Sequence, residues 1–270
     1  MIRIFLGFVF LLSACLNAQE RAPPTLTADE AAQAVVIESE GKTIYEHDRA
    51  AAVATDALAK MRSFKSNKHV RGWITEDKGA EILVTIVGVG ENDIPVALYR
   101  ASISKEGPLV GTPTALSTPE ALSDYERRSY AARSSALTDK FESCSNTYNI
   151  IVLPKNGDPA TGWTVYLLPG TTKKDIVPLG GSYRVDYNSD GIHVVSKRGF
   201  TKSCITLPND PKTIGMMVSH LMDPAPTEVH VFWSLWAHKS MYVGTVENGN
   251  LWSIKDGKIG LVVRGKAKGN

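Results

Sequence analysis

Cysteine is scarce in this 270-residue chain, with three residues only, at positions 15, 144 and 204. No Cys-x-x-Cys pair occurs, which excludes the zinc ribbons and thioredoxin-like redox motifs that need two closely spaced thiolates. His-Glu-x-x-His, Gly-x-Ser-x-Gly and Gly-x-Gly-x-x-Gly are also missing. The metalloproteases, esterases and dinucleotide enzymes that carry those signatures are therefore not indicated. Charge of one sign is lacking too: 30 Lys plus Arg stand against 28 Asp plus Glu, without a basic block. A protein that does not displace counterions gains little from phosphate backbones, so nucleic acid is not an expected partner. Beyond residue 12 no apolar run approaches the roughly 20 residues that span a bilayer.

Two near-matches fail on context. Ser102-Ile103-Ser104-Lys105 has the Ser-x-x-Lys spacing of penicillin-recognising enzymes, but it closes a strand pattern rather than opening a helix. Gly260 to Lys266 (GLVVRGK) has phosphate-loop spacing, but Ala267 stands where Ser or Thr would hold magnesium, and no helix follows. No cofactor is implied by any motif.

What is present begins at the N-terminus. Arg3 precedes an apolar run, Ile4 to Leu12 (IFLGFVFLL), too short to span a membrane and of the length of a signal-peptide h-region. Leu12-Ser13-Ala14-Cys15 then resembles the lipobox of bacterial lipoproteins. The resemblance covers residues 1–15 alone. It implies removal of residues 1–14, lipidation of Cys15 with fatty acyl groups such as palmitate, and a membrane partner reached through that anchor. Leu16, where Asp would mark inner-membrane retention, implies the outer membrane, with the body facing the periplasm. The alternative is secretion after cleavage at Ala18. Residues 15–27, including the stiff Pro23-Pro24, read as a tether.

With Cys15 lipidated, Cys144 and Cys204 remain as a pair in an oxidising compartment, where disulfides persist. Closing a loop of that length stabilises by roughly 4 kcal/mol in the chain-entropy model. A nucleophilic role for either thiol is the sharper alternative. The structural bridge is the expectation.

The apolar fraction, 43%, is enough to bury a core. Residues 28–140 read as an α+β module. Thr27-Ala28-Asp29-Glu30 has the form of a capping box, but the β-branched Val35-Val36-Ile37 and Gly41 leave residues 28–45 ambiguous. Val53, Ala54, Ala57, Leu58 and Met61 recur at helical spacing within 47–61. Strands are expected at 70–75, 81–87 and 95–104, then a helix opening at Thr118-Pro119-Glu120 and running to about Leu137. Residues 141–265 read as a β-rich, disulfide-stapled sandwich or open barrel of about eight short strands. These are expected at 148–153, 163–168, 183–187, 192–196, 228–236, 241–246, 251–254 and 259–263. Asn188 to Gly191, Asn248-Gly249 and Asp256-Gly257 supply hairpin turns. Residues 266–270 are a tail.

One stretch concentrates chemistry: His220 to Ser234, HLMDPAPTEVHVFWS. Pro224 and Pro226 make its first half a rigid lead-in. Read as a strand from Glu228, it places Val229, Val231, Trp233 and Leu235 on a core face. Glu228, His230, Phe232, Ser234 and Trp236 then share the other face. On that reading Glu228, His230, Phe232 and Trp236 are candidate binding residues for a peptide or glycan. His220, Glu228 and His230 are candidate catalytic residues for a hydrolytic centre. The plain alternative is a solvated Glu and a structural His. Tyr183, Arg184 and Tyr187 are a second candidate patch, equally explained by cross-strand pairing. His193 is read beside Val194 in a hairpin, and His47, His69 and His238 are expected near element ends and exposed.

The sequence therefore points to a cell-envelope protein, most simply a non-catalytic binding or scaffolding protein with an envelope protein, peptide or glycan as partner. A periplasmic hydrolase and an inhibitor or immunity-type protein are the rivals.

Overall fold

The computed structural model describes residues 24–265. The segment that resembles a lipobox, with Cys15, and residues 266–270 lie outside the described residues. The fold is α+β: the described residues form four α-helices and fourteen strands, the latter in three four-stranded sheets and one two-stranded ladder.

The first helix, α1 (Ala28–Leu58), resolves the ambiguity of residues 28–45. The Thr27 capping box is complete: Glu30 N–H donates to Thr27 Oγ1 at 3.2 Å, and Thr27 N–H donates to Glu30 Oε2 at 2.8 Å. A cap at Thr27 and an apolar stripe through Leu58 make one helix of 31 residues. It serves two cores. Ala50, Ala54 and Leu58 pack on the first sheet, while Ala34 and Ile44 join the core of the C-terminal sheets.

After the short α2 (Arg62–Ser66), β1 (Val70–Asp77), β2 (Glu81–Val89), β3 (Pro95–Ser104) and β4 (Leu109–Ala121) form an antiparallel meander in sequence order. Here the structure corrects the sequence reading. Thr118-Pro119-Glu120 stays in β4, and α3 (Asp124–Thr138) starts later. β4 is an edge strand, so Pro113 and Pro119 need not donate on its open side. The helix opens at a stronger signal. Ser123 and Glu126 form a capping box in which Ser123 N–H donates to Glu126 Oε2 at 2.8 Å.

β5 (Tyr148–Pro154), β6 (Trp163–Pro169), β8 (Tyr183–Tyr187) and β9 (Val194–Gly199) make the second sheet, antiparallel throughout. One face carries Ile150, Val152, Trp163, Val165, Leu167, Val185 and Tyr187, packed against Ala132 and Ala136 of α3. β7 (Ile176–Val177) and β10 (Leu207–Pro208) pair alone. Cys144 and Cys204 are bonded, as expected from the cysteine count.

The third sheet holds the main correction. Its strands are β11 (Gly215–His220), β12 (Ser240–Thr245), β13 (Leu251–Lys255) and β14 (Lys258–Val263). β12 to β14 run as the anticipated meander, and β13 turns into β14 through Asp256-Gly257 at φ 49° and 76°. The segment expected as a strand, however, is helix α4 (Glu228–Ala237). β11 and β12 are parallel, and a parallel pair needs a long crossover. The chain between them provides it as α4. The 228–237 segment is buried nearly all round, so the alternation of Val229, Val231, Trp233 and Leu235 does not mark a strand with one solvent face. The second and third sheets share one core, which joins Ile151, Leu153 and Tyr166 to Val218, Met241, Val243 and Trp252 through α1 and α4.

Candidate functional site

Strand alternation on the second sheet creates an unusual surface opposite α3. Register places Thr164, Asp186 and Ser196 in one cross-strand row, and Tyr166, Arg184 and Arg198 in the next. In the first row Asp186 accepts from Thr164 Oγ1 at 2.9 Å and from Ser196 Oγ at 2.8 Å. Arg184 Nε donates diagonally to Asp186 Oδ1 at 3.0 Å, joining the rows.

Two carboxylates from helices meet the second row. Glu228, in the first turn of α4, accepts from Arg184 Nη1 at 3.3 Å and from the Tyr166 hydroxyl at 3.4 Å. Glu40 of α1 stands 3.8 Å from Arg184 Nη1, too far for a hydrogen bond. The electrostatics follow. Burial opposes the Arg184 charge, but Tyr166, Asp186 and Glu228 outweigh it and hold the guanidinium firmly protonated. Burial raises Asp186, yet its hydrogen bonds from Ser196, Arg184 and Thr164 carry it below the usual carboxylate range. Glu40 moves the other way. Burial and then the neighbouring Glu228 push its carboxyl up, against the pull of Arg184.

Of these groups, Glu40, Thr164, Tyr166 and Arg184 line a cleft of about 740 Å³ between α1 and the β5–β6 region, a size typical of small-ligand sites. One wall is an α1 stripe at helical spacing: Val36, Glu40, Thr43 and His47. The opposite wall includes Lys155 and Asn156, and the floor includes Tyr166 and Arg184. His47 is buried in mid-helix, not exposed near an end as the sequence suggested, because α1 begins far earlier, at Ala28. Its Nδ1 lies 2.7 Å from Thr75 Oγ1. Burial drives its protonation down to about 4, so the ring is neutral near pH 7.

The candidate hydrolytic centre at His220, Glu228 and His230 does not assemble as one. Residues two apart on a helix point about 200° apart, and Glu228 and His230 do so, where a strand would have aligned them. Glu228 faces Arg184. His230 faces His220, with ring centroids 4.7 Å apart and planes nearly perpendicular. Both imidazoles are buried. His230 closes the α4 cap: Thr227 N–H donates to its Nδ1 at 3.1 Å, and the Thr227 hydroxyl lies 2.9 Å away. Burial, with His220 and Arg198 nearby, lowers its protonation to about 3. His220 Nε2 lies 2.8 Å from Asp223 Oδ2, which also accepts from Arg198 Nη2 at 2.8 Å. Asp223 thus ties the α4 lead-in both to His220 of β11 and to Arg198 of the second sheet. Among the described residues, no three His, Cys, Asp or Glu side chains are grouped to hold a metal ion.

The aromatic candidates also part. Phe232 is fully buried in the core, and Trp236 is half-buried with its ring 5.3 Å from that of Trp233. Neither lines the cleft. Of the second candidate patch, alternation sends Tyr183 toward Phe141 and Tyr187 into the α3 core, and only Arg184 toward the cleft. The sequence reading missed Glu40, Tyr166, Asp186 and Arg198. The polar alternation of Tyr183-Arg184-Val185-Asp186-Tyr187 was the available signal.

No family model, curated protein or solved structure matches this chain.

Proposed function

We propose that this is a lipid-anchored envelope protein that binds a small ligand in the cleft between α1 and the second sheet. The anchor is Cys15, on the lipobox resemblance, and the Cys144–Cys204 bond accords with an oxidising compartment. The observation that carries the binding reading is Glu40. Arg184 is already engaged by Asp186 and Glu228, whereas Glu40 sits at the cleft wall with its charge poorly compensated. A ligand ammonium or guanidinium would supply the missing positive charge, and Val36 and Leu153 offer apolar surface beside it. The ligand class is therefore a short peptide or amino sugar bearing a cation. Catalysis by His220, Glu228 and His230 has no support in the geometry just described.

Calorimetric titration with lysine-containing tripeptides, against the same peptides carrying Glu in place of Lys, tests this. Binding of the lysine peptides alone, lost in Glu40→Gln, is the expected result. Equal or absent binding of both sets would discard the reading.

A further inference from the structure

The outer face of the third sheet has no covering element among the described residues, and its character changes along its length. Alternation puts Met217, Ser219 and Leu221 outward along the β11 line, and Tyr242, Gly244 and Val246 outward along the β12 line. Ser253 and Gly260 continue the middle of that face as small residues. At one end the outward positions turn uniformly apolar: Leu221, Val246, Leu251 and Val262, with Met222 and Val263 beside them. Val246 is tied to this rim by its N–H, which donates to the His220 carbonyl at 3.0 Å. Leu221 and Val246 are each about half exposed, at 56% and 50%.

The chain emerges from its tether at the same rim. Arg264, directly after β14, donates through Nη2 to the Thr25 carbonyl at 3.0 Å and pairs with Glu30 at 2.7 Å. Gly265 N–H donates to Asn250 Oδ1 at 2.8 Å, and Asn248 Nδ2 reaches the Pro224 carbonyl at 2.8 Å. Thr25, the β12–β13 turn and the segment after β11 are thereby held together. Ten residue steps separate Thr25 from Cys15, at most about 35 Å of extended chain. An anchored body is confined within that distance of the bilayer. Beyond Arg264, whose charge Glu30 pairs, the sequence Gly265-Lys266-Ala267-Lys268-Gly269-Asn270 carries two lysines and no acidic side chain, which suits anionic headgroups. Glu247 is the one carboxylate beside Val246 in the sequence there.

We propose that this rim is a membrane-docking surface: Leu221, Val246 and Val263 seat in the headgroup region of the anchoring bilayer and set the body's orientation. The proposal rests on the reading of Cys15 as the anchor. Docking turns the far end of α1, about 45 Å away along the helix, and the first sheet away from the lipid.

The test uses the full lipoprotein in vesicles of phosphatidylethanolamine and phosphatidylglycerol. With Cys15 acylated and Cys144 bonded to Cys204, an introduced thiol is the one site for an environment-sensitive fluorophore. The labelled variants are Leu221→Cys, Val246→Cys and, in the turn between β2 and β3, Ile94→Cys. Flotation with the vesicles reports the anchor, and quenching by brominated lipid reports docking. Labels at 221 and 246 are expected to be quenched about twofold more than at 94, as insertion of 5–10 Å requires. A protein that fails to float overturns the anchor and the proposal together. Flotation with equal quenching at all three sites overturns docking alone. Self-quenching at 246 that grows with protein density, without lipid quenching, would assign the rim to a second copy and also overturn it.

Discussion

At the residue scale, the buried ionisable groups give the protein a defined acid response. His47 and His230 are held neutral, with protonation lowered to about 4 and about 3 from 6.5. The unfolded chain takes up both protons below about 6.5, so the stability these rings support is present above that pH and lost as pH falls through the folded values. Asp48 opposes them. It is buried with a hydrogen bond from Asn149 Nδ2 at 2.9 Å, and burial outweighs that bond to raise its carboxyl to about 6 from 3.8. Its contribution is complete below 3.8 and lost as pH rises through about 6. Between about 6 and 4 these three groups leave a net uptake of one proton on unfolding, a slope of about 1.4 kcal/mol per pH unit. Urea melts from pH 6.5 to 4.5 should show stability falling on acidification. Asp48→Asn should steepen the fall toward the two-proton value, and an unchanged slope would contradict this assignment. None of this was legible in the sequence, because burial of a titratable group is a property of its neighbours.

At the element scale, local signals and tertiary demands divided the outcome. The capping boxes at Thr27 and Ser123 were written in adjacent residues, and the turns at Asn188–Gly191 and Asp256-Gly257 form where they are spelled. Helix α4 was not legible in its own apolar pattern. Its β-branched and aromatic residues favour a strand, and only the parallel pairing of β11 with β12 demands a crossover there. With that strand went the shared face of Glu228 and His230, and with it the geometry that the alternative hydrolytic reading needed. The crossing of α1 with α4 has its own requirement. At Gly41 a Cβ would lie 2.5 Å from Val231 Cβ and 2.7 Å from the Glu228 carbonyl oxygen. Gly41→Ala gains in helix propensity but forces the two helices apart, and overpacking of this kind costs about 1–3 kcal/mol. Thermal denaturation of the variant should show a lower midpoint. A midpoint at or above that of the parent would show that the helices separate freely.

At the scale of the whole molecule, α1 and the disulfide link parts distant in sequence. α1 enters two cores, and Cys144–Cys204 closes a separation of 60 residues that contains β5, β6, β8 and β9. Replacing both cysteines by Ala should lower unfolding stability by about 4 kcal/mol in the chain-entropy model. Denaturant unfolding of Cys144→Ala/Cys204→Ala measures this directly, and a loss below about 1 kcal/mol would place the constraint elsewhere. The sequence by itself determined the α+β class, most strand positions, the hairpin turns and the cysteine pairing. Each of these is encoded by spacing, by turn residues tolerant of positive φ, or by simple counting. Only the tertiary structure decided that Glu40, Tyr166, Arg184, Asp186 and Glu228 form one network, and that His220 and His230 form another. Those residues come from two helices and three strands, and no local pattern records which side chains of separate elements will share the same buried space.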